Sequence, residues 1–260
     1  MNPPKHLAEP LDEETRRDLA RKSRRGFALW IGGLVTGVAG IRWLATQSNE
    51  AGIPWPLRRV LEFNEQVATK LIGTQGRATE FPMNAAGEPR VNGRFGLKEQ
   101  PIDQETWRLR VQNDAGRSAE FRLADIQNLP RHEHVTELKC IEGWSQIVHW
   151  SGCRLSDFLD HTGLARQGAG QDLFPYVGLT TSDGAYYVGL DMPSAMHPQT
   201  LLAYEMNGKP LTPGHGAPLR LVIPVKYGIK NIKGIATISL SQQRPADYWA
   251  ERGYDWFAGL

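Results

Sequence analysis

Cys140 stands in Cys140-Ile141-Glu142-Gly143-Trp144, at the end of an alternating stretch from His134 to Ile141. Val135, Glu137, Lys139 and Ile141 share one face of that stretch, and Thr136, Leu138 and Cys140 the other. A strand ending in this way presents its last side chains where the chain leaves the sheet, beside a cleft. A thiolate there is a soft metal ligand. Two plainer roles stand beside that one: a small buried apolar residue, or half of a disulfide with Cys153, the only other cysteine. No further protein thiol is available. A metal at Cys140 therefore takes most of its ligands from elsewhere, as a cofactor with its own sulfur donors would provide.

Three more groups carry possible chemistry. His132-x-His134 offers two imidazoles, but no third zinc ligand follows at a suitable spacing, and the neighbours Arg131 and Glu133 read as solvated polarity. His215 lies in Pro213-Gly214-His215-Gly216-Ala217-Pro218, a rigid turn that offers a ring and backbone amides to a partner. The segment Arg220 to Lys233 ends a buried strand at Pro224 and then gathers Lys226, Lys230 and Lys233 around Gly228. Ammonium groups and backbone N–H groups acting together suit an anionic phosphate. Ile229 and Ile232 alternate with the lysines, which argues against a purely solvated loop.

Elements must position these groups. The strand pattern covers Trp107 to Val111, Ser118 to Leu123, His134 to Ile141, Phe174 to Thr180, Ala185 to Leu190, Pro218 to Val225 and Gly234 to Leu240. Short helices are expected over Ala124 to Leu129 and from Ser151-Gly152 to Gly163, with Cys153 opening the second. Before them, Leu57, Val60, Leu61, Asn64, Val67, Ala68 and Leu71 recur at helical spacing. Strands following one another with few helices between them predict an α+β class with a β-rich core.

Composition sets outer bounds. The chain has 260 residues, 40% hydrophobic and 22% charged, with a mean hydropathy of -0.42. That is globular, and it excludes both a wholly disordered chain and a multi-span membrane protein. A net charge of +2 gives no case for a nucleic-acid partner. Two cysteines are too few for a disulfide framework or a four-thiolate zinc site.

The N-terminus reads as an address. A basic stretch ending in Arg24-Arg25 precedes an apolar run from Phe27 to Ile41, which continues past Arg42 to Ala45. Ser23-Arg24-Arg25-Gly26-Phe27-Ala28-Leu29 resembles the twin-arginine export signal. Arginine before the run places the N-terminus in the cytoplasm and the chain after about residue 46 outside. No clean small-x-small cleavage site follows Ile41, so a retained anchor is expected. The domain reading is an export signal or membrane anchor over 1–50, a helical lead-in over 51–90 and a cofactor domain over 91–260.

The motifs taken together carry a resemblance. They are Cys140 to Ser145 with Trp150-Ser151-Gly152, Ala195-Met196-His197-Pro198, Leu201 to Tyr204, Gly208 to Leu211, His215 to Arg220, and Lys226 to Lys233. In order and spacing they are similar to the bacterial molybdopterin-dependent oxidoreductases of the sulfite-oxidase fold, nearest the branch containing the periplasmic protein-methionine-sulfoxide reductase catalytic subunit. The resemblance implies a mixed α+β molybdopterin-binding fold with Cys140 as the molybdenum ligand. It implies that Asn92, Phe95, Gly96, Thr181, His215, Arg220, Asn231, Ile232 and Lys233 hold the pterin and its phosphate, and that Tyr227 sits near the open metal position. The implied chemistry is two-electron oxygen-atom transfer, on a sulfoxide of a small molecule or protein or on a related S- or N-oxide. Sulfite oxidation and a tethered, non-catalytic binding module of the same fold are the alternatives. Ile-Glu-Gly-Trp after Cys140 lacks the arginine that helps sulfite oxidases bind their anion. A periplasmic site implies an electron partner, either a membrane haem protein linked to quinones or a c-type cytochrome, because the chain has no Cys-x-x-Cys-His of its own.

Overall fold

The structure is a computed structural model that describes residues 12–50, 52–72, 76–87, 90–93, 102–103, 105–168 and 172–260. The chain divides into two compact units, Met1–Asn49 with Pro54–Pro56, and Glu50–Ile53 with Leu57–Leu260.

The first unit is dominated by helix α1, Glu13–Ala45. Asp12 caps it by accepting from the Thr15 amide at 2.6 Å. Glu13 and Glu14 in the first turn and Arg42 in the last complement the helix dipole. Its apolar window has a mean hydropathy of 1.5 with none of it buried, long and apolar enough to cross a membrane.

The second unit takes in helix α2, Trp55–Ile72, from Leu57 onward. Its periodicity follows the sequence, but its orientation does not follow the usual rule. Val60, Phe63 and Val67 are exposed, while Arg58 is buried. Two five-stranded sheets follow. The first is built from β1 (Leu109–Asn113), β2 (Ser118–Phe121), β5 (Tyr176–Thr181), β6 (Tyr187–Asp191) and β10 (Ile235–Ser241), in the order β2-β1-β10-β5-β6. Only β10 and β1 pair in parallel within it. The second is antiparallel, in the order β8 (Lys209–Pro210), β7 (Leu201–Met206), β4 (Ser145–Arg154), β3 (Arg131–Lys139), with β9 (Arg220–Val222) also pairing β7.

The main core joins Leu109, Val111, Val177, Leu179, Ile238 and Leu240 of the first sheet to Leu155, Phe158 and Leu159 of helix α3, Leu155–Thr162. It also takes Cys153, Leu202 and Leu221 from the second sheet. Val148, Trp150, Leu201, Ala203 and Val222 of that sheet form a smaller separate cluster. The second sheet is thus buried on both faces.

Two expectations are corrected. The helix expected to open at Ser151-Gly152 begins only at Leu155, because Trp150 to Arg154 complete strand β4. Gly152 sits at a register shift where a β-carbon would lie 2.2 Å from the Leu202 carbonyl oxygen, so it marks close backbone approach and not a helix start. Strand β7 was not expected either, since Leu-Leu-Ala-Tyr-Glu-Met is buried at every position but Glu205 and does not alternate. Both cysteines are free thiols, Cys153 buried and Cys140 partly exposed.

Candidate functional site

The β3–β4 hairpin presents Cys140 at its tip. The Cys140 amide donates to the Trp144 carbonyl at 2.9 Å, and the Gly143 amide to the Cys140 carbonyl at 3.1 Å. Gly143 takes φ +87, a value that favours glycine. Register pairs Leu138 with Gln146, Thr136 with Val148, and His134 with Trp150. Directly opposed residues share a face, so this set faces one way together with Cys140. Leu138, Gln146, Val148 and Trp150 form the floor of a cleft enclosing about 520 Å³.

The cleft brings together Asn92, Cys140, His215, Arg220, Asn231 and Lys233, residues spread over 142 positions of sequence. Each has an evident anchor. Strand β9 carries Arg220 beside Ala203 of β7. The turn Pro213–His215 ends at Gly216, whose φ is +93 and whose β-carbon would lie 2.6 Å from that of Lys233. Only glycine lets these two loops touch. Asn231 is pinned by the Ile223 amide, which donates to its Oδ1 at 2.9 Å, and it donates from Nδ2 to the Tyr227 carbonyl at 3.2 Å. Segment 76–87 runs along β3 and β4, with the Phe81 amide bonded to the Val135 carbonyl and that of Gly87 to the Ile147 carbonyl, and the Arg90 amide ties the stretch 90–93 to Gln146 Oε1 at 2.8 Å. That stretch delivers Asn92, whose Nδ2 approaches Cys140 Sγ at 4.0 Å and Glu142 Oε2 at 3.4 Å.

The electrostatics are lopsided. The Arg220 guanidinium is buried over the Trp150 ring, 4.6 Å from its centroid, and donates to the carbonyls of His215 and Asn231. Its Nε has no partner. Lys233 Nζ donates to the carbonyls of Asn92, Gly93 and Gly214. Among the described residues no carboxylate pairs with either cation. Burial accordingly lowers Arg220 to about 10 and Lys233 to about 8. Burial, with those two charges beside it, lowers His215 to about 4. Burial also raises the Cys140 thiol. Among the described residues the cations are left without an anionic partner and Arg220 Nε without a bond, while burial favours the neutral form of the Cys140 thiol.

A shallower hollow on the outer side of Cys140 is lined by Lys139, Ile141, Gly143, Trp144, Ser145 and Tyr227. Tyr227 and Cys140 therefore share that opening.

Several expectations resolve differently. Phe95 and Gly96 lie outside the described residues. Thr181 and Ile232 line neither cavity. The Thr181 hydroxyl is committed to Asp183 Oδ1 at 2.7 Å and to the Tyr186 backbone, and the Ile232 carbonyl accepts from Leu221. Of the three lysines expected around Gly228, only Lys233 faces the cleft. Lys230 pairs with Asp247 at 2.5 Å, and Lys226 lies over the Phe257 ring. His132 and His134 are engaged separately, with Asp157 at 2.9 Å and Glu80 at 3.4 Å. Arg90, Trp144, Gln146 and Met206 line the cleft without having been singled out. Burial in β4 runs unbroken from Val148 to Cys153, so no alternation marked Gln146, and Arg90 had no signal either.

A sheet-framed cleft with one thiol, a buried arginine and a partly exposed lysine suits an anionic, sulfur-bearing cofactor. The chain belongs to the family described as "Oxidoreductase molybdopterin binding domain", whose model matches residues 97–249. It is a molybdopterin-binding oxidoreductase of mixed α+β, sheet-rich fold with an N-terminal apolar helix. It is 31% identical over 91% of its length to the putative protein-methionine-sulfoxide reductase subunit YedZ1 of Azospira oryzae, covering 88% of that protein. It is 33% identical over 62% of its length to the protein-methionine-sulfoxide reductase catalytic subunit MsrP of Campylobacter jejuni, covering 59% of it. Against MsrP of Xanthomonas campestris the figures are 35% identity, 55% of this chain and 47% of the relative. The chain thus spans about half to three-fifths of the MsrP proteins. Among solved structures it is similar to sulfane dehydrogenase SoxCD from Paracoccus pantotrophus, at 18% identity and a TM-score of 0.49, over 56% of this chain and 40% of that one.

Proposed function

We propose that this chain is a molybdenum-cofactor sulfoxide reductase working on the outer side of a membrane. The observation that carries the reading is a pair of cations, buried Arg220 and partly exposed Lys233, with no carboxylate partner among the described residues, in the cleft that Cys140 lines. When bound, the cofactor supplies a metal that exchanges two electrons and accepts an oxygen atom. The residues fit such a group. Cys140 gives the soft thiolate. Arg220 and Lys233 neutralise phosphate, with the unpartnered Arg220 Nε aimed at an acceptor. Asn92, His215 and Asn231 offer neutral polar atoms to the pterin. The deeply lowered His215 stays uncharged near neutral pH and so serves as a hydrogen-bonding group. Thr181 and Ile232 act at one remove, as supports of the strand and loop behind the cleft.

Substrate enters by the outer hollow, where Tyr227 and Trp144 flank Cys140. Tyr227 brings to this hollow a hydroxyl that would donate to a sulfoxide oxygen. The balanced reaction joins a sulfoxide, two electrons and two protons to give a sulfide and water. The electrons come from a membrane haem protein linked to quinones or from a c-type cytochrome. Relatives carrying the methionine-sulfoxide name, and Ile141-Glu142 in place of an arginine after the thiol, favour sulfoxide over sulfite.

Export through Ser23-Arg24-Arg25, with α1 retained as an anchor, completes the reading. The domain boundaries proposed with it are 1–50, 51–90 and 91–260. Purified holoenzyme assayed with reduced dye for sulfoxide reduction and with oxidised dye for sulfite oxidation is the test. Turnover of methionine sulfoxide with little turnover of sulfite supports the assignment, and sulfite oxidation alone refutes it.

A further inference from the structure

We infer that the outward face of α2 lies in the interfacial layer of a lipid bilayer. The helix is mounted against the usual rule for a soluble domain. Arg58, only 5% exposed, donates to the Ala250 carbonyl at 2.7 Å. About two turns further on, Glu65 accepts from both terminal guanidinium nitrogens of Arg244, at 2.9 and 3.1 Å. These polar anchors fix the rotation of α2 and leave Val60, Phe63 and Val67 exposed at 54%, 63% and 36%. At 100° per residue the three fall within one 60° sector, a continuous apolar stripe.

The occupant follows from connectivity. Helix α1 has the length and composition of a membrane span, and nine residues, Thr46 to Pro54, separate it from α2. Such a tether reaches at most about 30 Å, so a bilayer holding α1 is always within reach of α2. An amphipathic helix lying in the plane buries its apolar face about 5–10 Å into the headgroup boundary. This inference rests on α1 remaining in the membrane as proposed above. It adds that the catalytic unit rests on the bilayer through a second contact instead of hanging freely.

The experiment uses the full chain in vesicles of phosphatidylethanolamine and phosphatidylglycerol, with a benzophenone amino acid placed singly at Phe63, Leu34 or Glu120. Lipid adducts after irradiation are quantified by mass spectrometry. Phe63 is expected to give at least about tenfold more lipid adduct than Glu120 on β2, the ratio that burial of one aromatic side chain commands. Adduct at Phe63 no greater than at Glu120, or adducts to protein in place of lipid, overturns the inference. Leu34 reports α1 separately. Lipid adduct at Leu34 without any at Phe63 refutes the α2 contact alone, and adduct at neither refutes the anchor as well. A probe at Val60 in the Phe63→Glu, Val67→Glu background is expected to lose its lipid adduct with no change in Tm.

Discussion

Lys233 Nζ donates to the Asn92 carbonyl across 2.6 Å, joining the segment before the first sheet to the loop before its last strand. A third bond to the Gly214 carbonyl brings in the His215 turn. One ammonium group thus ties three separate stretches of chain around the cleft, and it does so with carbonyl oxygens, which leave its charge in place for an anion.

Arg220→Met should separate folding from cofactor retention. A buried guanidinium without a counter-ion is expensive, so metal-free protein should be as stable as the parent or up to about 3 kcal/mol more stable. Retention should fall at least about tenfold, the loss expected for one charge-assisted hydrogen bond. Urea melts of metal-free protein and pterin content after gel filtration read the two effects.

His215 gives a pH dependence of defined sign. Its native value, about 4, lies below its ordinary 6.5. The unfolded chain therefore binds the extra proton first, and the stability that neutral His215 contributes is complete above pH 6.5. It is lost as pH falls from 6.5 towards 4, by about 1–3 kcal/mol. The urea midpoint of His215→Asn should be flatter than that of the parent over this window in metal-free protein.

Gly216 and Gly116 test close approach against backbone strain. Both have positive φ, +93 and +79, but only Gly216 faces a neighbour where a β-carbon would go, the Lys233 β-carbon at 2.6 Å. Gly116→Ala should cost about 1 kcal/mol. Gly216→Ala should cost about 2–4 kcal/mol and should also loosen cofactor retention, because Lys233 must shift. Thermal melts and metal content of the two variants decide it.

Tyr227→Phe should keep its cofactor and lose turnover. Its ring shares the outer hollow with Cys140 and lies outside the inner cleft. A hydroxyl that assists proton transfer to departing oxygen contributes about a hundredfold or more to kcat. Unchanged metal content with kcat reduced to that extent supports the role, and unchanged kcat removes it.

Much of this was legible in the residues. Alternation from His134 to Ile141 located the strand that ends beside Cys140, and the glycine-bearing turns located the loops carrying His215 and Lys233. What escaped did so for physical reasons. Strand β7 and the end of β4 are buried on both faces, so their apolar residues run together and Ser151-Gly152 imitates a helix start. The period of α2 was readable, but its rotation depended on Arg58 and Glu65 meeting Ala250 and Arg244, nearly 180 positions or more away. The three lysines near Gly228 looked equivalent until Asp247 and Phe257 claimed two of them.

Metal analysis of protein from cells able to make the cofactor tests the central claim most directly. A single thiol site predicts about one molybdenum per chain in the parent and none in a folded Cys140→Ser variant. Parent protein free of molybdenum, or a Cys140→Ser variant that keeps it in full, would contradict the account.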